Sequence, residues 1–118
     1  AELNSLAPDM KALSALSEEY RVVGVHPFAP DTSREVTAYA RDFAPLYGIN
    51  EEAATGTASG ALAYYLYLNN LITKDTDLCF VQGEAMNRAS KIAARIRNDG
   101  SIQVGGSAAV LAEGEIHI

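Results

Sequence analysis

Glu51-Glu52-Ala53-Ala54-Thr55-Gly56-Thr57-Ala58-Ser59-Gly60 runs without a break into Ala61-Leu62-Ala63-Tyr64-Tyr65-Leu66-Tyr67-Leu68, and this stretch decides the fold. Two carboxylates give way to small residues and hydroxyls, and then to an apolar run. That order predicts a helix from Thr55 to Leu71 with its mouth at the small residues. A helix start leaves its first backbone N–H groups without partners and carries about half a positive charge, so it holds an anion without Lys or Arg. Thr55 and Thr57 are both of the type that caps helix starts. One can cap while the other faces a ligand. The amides of Gly56, Thr57 and Ala58 form the candidate anion site, and Gly56, having no side chain, permits close approach.

Leu62, Tyr65, Leu66, Leu68 and several alanines spread apolar surface around the whole helix. A helix apolar on every side is expected to be buried on every side. In 118 residues, one domain's worth, the economical arrangement is a sheet curled around it. Small residues from Ala54 to Ala63 let strands come close at the entrance. Tyr64, Tyr65 and Tyr67 lie toward the wider end, where their hydroxyls reach the rim or an acceptor.

The flanking sequence supplies the sheet. Pro8-Asp9-Met10 opens a short amphipathic helix carrying Met10, Leu13 and Leu16, which ends near Glu19. Tyr20–Phe28 reads as a strand around Val22-Val23-Gly24-Val25. Arg34–Phe43 alternates, with Val36, Ala38, Ala40 and Asp42 on one side. Ala44–Gly48 is a turn at Pro45. Asp77–Gln82 and Lys91–Arg97 are strands, and Asp99-Gly100 marks a tight hairpin leading to Ile102-Gln103-Val104. Gly105-Gly106 breaks the pattern, and Ala108–Ala112 and Glu115–Ile118 read as final strands, giving about six or seven in all. The expected class is α+β: a mixed sheet curled around a central buried helix, with one short outer helix.

The net charge of −6, without any Lys/Arg cluster, argues against nucleic acid or an anionic membrane surface as partner. The uncharged run from Ala53 to Thr73 matches the length of a membrane span, about 20 residues. Its threonines, Ser59, two glycines and two asparagines argue against that role. The single cysteine, Cys79, excludes an intrachain disulfide and fits a reducing, cytoplasmic compartment. In the apolar run Leu78-Cys79-Phe80-Val81 it reads as a buried, inert thiol. His26 and His117 lack partners at ligand spacing, so no metal site is expected.

Arg41-Asp42-Phe43-Ala44-Pro45, Gly48-Ile49, Glu51-Glu52-Ala53-Ala54-Thr55-Gly56-Thr57 and Gly60-Ala61-Leu62 together resemble the signature of the C-terminal half of PhzF-like phenazine biosynthesis proteins. Gln82-Gly83, Arg88, Val104-Gly105-Gly106, Ala108 and Glu113-Gly114-Glu115 follow in the order the resemblance requires. It implies half of a diaminopimelate epimerase-like fold, in which two similar domains point their central helices into a shared cleft. It further implies an isomerase that moves a proton on a small carboxylate-bearing substrate, without metal or cofactor. The principal glutamate of such a protein belongs to the N-terminal domain, which this chain does not match. The family's Glu-Asp-Pro becomes Glu51-Glu52-Ala53, and its Gly-Ser becomes Gly56-Thr57.

On that resemblance Glu52 is expected to assist proton transfer, with Thr57 supplying a hydroxyl. Thr55, Gly56 and Ala58 are expected to bind substrate. Arg41 can pair with substrate or with a nearby acid, Asp42, Glu51 or Glu52, and the structural role is the favoured reading. The missing acid/base is expected from an N-terminal PhzF-like domain or from a second copy of the chain. The alternative is a non-catalytic module that binds small carboxylates or a protein partner.

Overall fold

The structure, a computed structural model, describes residues 2–31 and 35–118. The elements are α1 (Glu2–Ser5), α2 (Met10–Tyr20), β1 (Phe28–Pro30), β2 (Ala38–Ala40), α3 (Gly56–Leu68), β3 (Leu78–Gln82), β4 (Ser90–Ile96) and β5 (Ile102–Gly105). They build an α+β fold: one five-stranded mixed sheet in the order β1-β2-β3-β4-β5 with α3 packed on it. β2 and β3 are parallel, and the long connection between them contains α3. The remaining neighbours are antiparallel.

The core forms where alternation along the strands meets one face of α3. Ala38 and Ala40 of β2, Leu78 and Phe80 of β3, and Ile92, Ala94 and Ile96 of β4 all point inward. They enclose Leu62, Ala63 and Leu66. Phe80 is completely buried and faces Ala38 and Ile92 across the ladder. Its burial stabilises the fold by about 2–3 kcal/mol. The Asp99-Gly100 turn closes the β4–β5 hairpin as the sequence predicts, with Gly100 at φ 87° and the Arg97 amide donating to Ser101 O at 2.9 Å. β5 then lies against the small-residue side of α3. A Cβ on Gly60 would stand 3.3 Å from Val104 Cγ2 and 3.5 Å from Ile102 Cγ2.

Several expectations differ from the structure. α3 is buried on one side only: Tyr65 is 51% exposed and Leu68 59% exposed. The sheet reaches it from β2 round to β5, and its opposite face borders a cleft. Its even distribution of apolar residues records composition, not the number of elements available to cover it.

Tyr20–Phe28 is not one strand. α2, capped by the Asp9 carboxylate on the amides of Lys11 and Ala12, continues through Tyr20. It closes at Arg21 in the left-handed conformation, φ 54°. Only Val25 makes a ladder contact before β1 begins.

Ala108–Ala112 and Glu115–Ile118 form no strands and are exposed throughout. A run of strand-forming residues acquires a ladder only against a partner edge. Among the described residues there are also two outer helices rather than one, α1 being a single short turn before α2. Of the alternating segment read from Arg34 to Phe43, Arg34 lies outside the described residues, and the ladder proper spans Ala38–Ala40. Cys79 is half-buried rather than enclosed. No helix among the described residues is long and apolar enough to cross a membrane.

Candidate functional site

The site follows from strand register. Phe28 pairs with Ala40 in β1–β2, and the bridge Val25↔Phe43 continues the same register beyond the strand ends. Val25 and Phe43 exchange both backbone hydrogen bonds, at 2.9 and 3.0 Å, and the Arg41 amide donates to Pro27 O at 3.0 Å. His26 and Asp42 therefore face each other at a position without ladder bonds, where side chains come closest. The approach depends on Gly24, because a Cβ there would collide with the carbonyl oxygen of Phe43.

His26 Nδ1 stands 3.5 Å from Asp42 Oδ1, with side-chain exposures of 15% and 13%. That separation is the outer limit of a hydrogen bond. Both ring nitrogens of His26 are shielded from solvent and neither makes a close hydrogen bond. Leaving a buried polar group in this state costs about 1–3 kcal/mol. Burial pushes the Asp42 carboxyl up. The neighbouring His26 ring and a hydrogen bond from the Thr55 hydroxyl outweigh it and hold the carboxyl below the usual carboxylate range.

Thr55 occupies the N-cap position of α3, yet its hydroxyl makes no capping bond. It accepts instead from Gln82 Nε2 at 3.1 Å and binds Asp42. Gln82, fully buried, also donates to Glu52 O at 2.8 Å. The loop before α3 is thus pinned to the end of β3, and the first amides of α3 are left without a side-chain cap.

In front of this uncapped helix start lies a cleft of about 670 Å³. It is lined by Val23, Gly24, His26 and Phe28, by Asp42, and by Thr55 with Thr57, Ala58, Ala61, Leu62 and Tyr65 of the helix. Phe28 meets Tyr65 edge-to-face at 5.7 Å. Of the residues singled out in the sequence, Thr55, Thr57 and Ala58 are brought together here. Gly56 sits exposed in the first turn of the helix. The Glu52 carboxylate is half-buried and accepts from the Ala53 amide at 3.1 Å, and Glu52 does not line the cleft.

From the sequence, His26 figures only as a candidate metal ligand and Asp42 only as a partner for Arg41, and neither is assigned to the site. The signal that finds them is the register shared by the two strand-like segments. Among the described residues, no three side chains of the His, Cys, Asp and Glu types converge as a metal site would need.

Arg41 is structural, as expected, and its partner is Glu51. Nε and Nη2 grip the two carboxylate oxygens at 2.8 and 2.9 Å, while Nη1 donates to Leu3 O at 3.1 Å and Leu6 O at 2.7 Å. Hydrogen bonding to Glu51, aided by its charge, raises the guanidinium pKa against the effect of burial. The planar group also lies over the Phe43 ring, 4.8 Å from its centroid.

Residues 1–114 match the model of the PhzC-PhzF family, described as phenazine biosynthesis-like proteins. The chain belongs to this family. Among relatives, an uncharacterized isomerase of Deinococcus radiodurans is 37% identical over 95% of the chain and 38% of its own length. The trans-2,3-dihydro-3-hydroxyanthranilate isomerase of Pseudomonas aeruginosa is 33% identical over 100% of the chain and 41% of its own length. The chain therefore spans about two fifths of the length of these PhzF-like relatives. In structure it is similar to a Bacillus anthracis phenazine biosynthesis protein of the PhzF family, with a TM-score of 0.64 at 19% identity over 86% of the chain and 36% of that protein. A predicted epimerase from Pseudomonas aeruginosa gives 0.61 at 25% identity over the same shares, 86% and 36%. The shared architecture is the mixed sheet with its central helix.

Proposed function

We propose that the chain is one wall of a PhzF-like isomerase site, which holds the carboxylate of a small substrate at the start of α3. The observation that carries this reading is the uncapped helix N-terminus facing the cleft, left open because Gln82 and Asp42 engage the Thr55 hydroxyl. An anion accepting from the amides of Gly56, Thr57 and Ala58 replaces the missing cap and meets the positive end of the helix. The apolar lining from Phe28, Leu62 and Tyr65 suits a ring-bearing carboxylate, the class to which the dihydro-hydroxyanthranilate of the Pseudomonas aeruginosa relative belongs.

In this reading Glu52 and Thr57 assist proton transfer, Glu52 by turning from the Ala53 amide toward the substrate. The group that carries the proton comes from an N-terminal PhzF-like domain or a second copy, seated against the exposed face of α3. Without it the chain binds but does not turn over. The position of Glu52 outside the cleft lining also favours a second reading, a module that binds carboxylates and performs no chemistry.

Calorimetric titration with benzoate and with benzamide, its neutral counterpart, tests the carboxylate seat. The expected result is at least about tenfold tighter binding of benzoate, the worth of hydrogen bonds to a charged acceptor. Equal affinity, or no binding of either, contradicts it. A Glu52→Gln variant that binds benzoate like the parent leaves Glu52 a role in chemistry and none in binding.

A further inference from the structure

We propose that residues 107–118 form an arm that a second copy of the chain receives as an added strand on the open edge of β5, the two copies exchanging arms about a two-fold axis. The arm lies outside the fold. Val110, Leu111, Ile116 and Ile118 are almost wholly exposed, Leu111 at 97% and Ile116 at 90%. Large apolar side chains exposed as a group mark a surface that another surface covers. Glu115-Ile116-His117-Ile118 alternates with period two, the pattern of a strand with one apolar face.

The receiving edge is equally defined. β5 ends the sheet and, among the described residues, pairs only with β4. The Arg97 amide donates to Ser101 O. Bonded pairs alternate from there, so Gln103 and Gly105 turn their backbone groups toward β4, while Ile102 and Val104 turn theirs outward. The edge Ile102-Gln103-Val104-Gly105 carries no charge or Pro of the kind that keeps strands from pairing. Ile102 and Val104 face Gly60 of α3 yet remain 41% exposed. A strand added here sets Ile116 and Ile118 beside them.

Charge selects the arm as occupant. It carries Glu113 and Glu115 and no Lys or Arg. Alternation along β4 puts Lys91 and Arg95 on the face away from α3, beside the small residues Ala93 and Gly105. A shallow groove of about 270 Å³ lies there, lined in part by Arg95, Gln103 and Gly105. With Ile116 turned toward α3, Glu115 turns toward that groove. In a chain of net charge −6, an acidic segment meets repulsion over most of the surface and attraction here. Extended, the arm's twelve residues reach about 40 Å, enough to cross to a neighbouring copy. None of these residues lines the cleft, so the proposal is independent of the carboxylate seat.

Sedimentation equilibrium and amide hydrogen exchange of the 118-residue chain test this together. The expected result is a dimer in which the Ile102 and Val104 amides are protected, with the protection fading as dilution separates the copies. The double variant Ile116→Asp, Ile118→Asp is expected to weaken the dimer about a hundredfold, tenfold for each buried isoleucine. Its Gln103 amide, bonded to β4, stays protected as in the parent. A chain that is monomeric at every concentration overturns the proposal, even if an arm folded back on its own β5 protects the edge amides. So does a dimer whose Ile102 and Val104 amides exchange freely, or one that the double variant forms as tightly as the parent, because either associates through another face. Should the double variant fail to fold, exchange at the edge of the parent chain still decides.

Discussion

Replacing Arg41 by alanine is expected to lower the unfolding free energy by about 3 kcal/mol. Arg41 is 7% exposed and carries four hydrogen bonds, two to Glu51 and two to the backbone at Leu3 and Leu6. Alanine leaves the Glu51 carboxylate, its side chain 15% exposed, without its cation. It also strands two carbonyl oxygens and uncovers the Phe43 ring. The penalty falls on the loop that leads into α3 and on the attachment of α1. Arg41→Lys keeps the charge but not the two-pronged grip, so it is expected to recover less than half of the loss. Urea denaturation of the three proteins measures this. A change within about 0.5 kcal/mol, the usual range for a surface substitution, contradicts the structural role given to Arg41.

Gly24→Ala is expected to cost about 2 kcal/mol and to open the register that joins His26 to Asp42. The added methyl group meets the carbonyl oxygen of Phe43, and neither backbone can give way without separating the bridge. The paired bonds between Val25 and Phe43 report this directly, because their amides exchange with solvent faster once the bridge parts. Gly105→Ala is the control: a Cβ there meets nothing within 4 Å, so stability and exchange are expected to stay near those of the parent. Unchanged protection of Val25 and Phe43 in Gly24→Ala contradicts the packing argument.

Much of this fold is written locally. The carboxylate of Asp9 fixes the start of α2, Asp99-Gly100 fixes the β4–β5 turn, and alternation of Ile92, Ala94 and Ile96 fixes the inward face of β4. Each needs only neighbours in sequence. The parts that were not legible depend on what lies across the fold. Val22 and Val23 favour strand, but α2 runs on to Tyr20 and closes at Arg21 immediately before them, so they enter an exposed connection. Val110, Leu111, Ile116 and Ile118 have strand-forming character and no ladder. The apolar circumference of α3 gave no sign of which face the sheet would cover.

The site divides in the same way. The helix start at Gly56, Thr57 and Ala58 was legible because small residues before an apolar run form a local pattern, whereas the threonine cap expected there does not form. The diversion of the Thr55 hydroxyl was not, since it requires Gln82 from a strand 27 residues away in sequence. His26 and Asp42 meet only through strand pairing, which no spacing within either segment reveals.

The central claim is that these residues hold a substrate whose proton is moved by a group outside them. Deuterium incorporation into the ring-bearing carboxylate proposed above, followed in heavy water with the 118-residue chain alone and with the chain joined to the N-terminal part of a PhzF-like relative, tests it most directly. The account predicts no incorporation above the buffer rate for the chain alone and catalysed incorporation for the joined protein. Catalysed incorporation by the chain alone would contradict it.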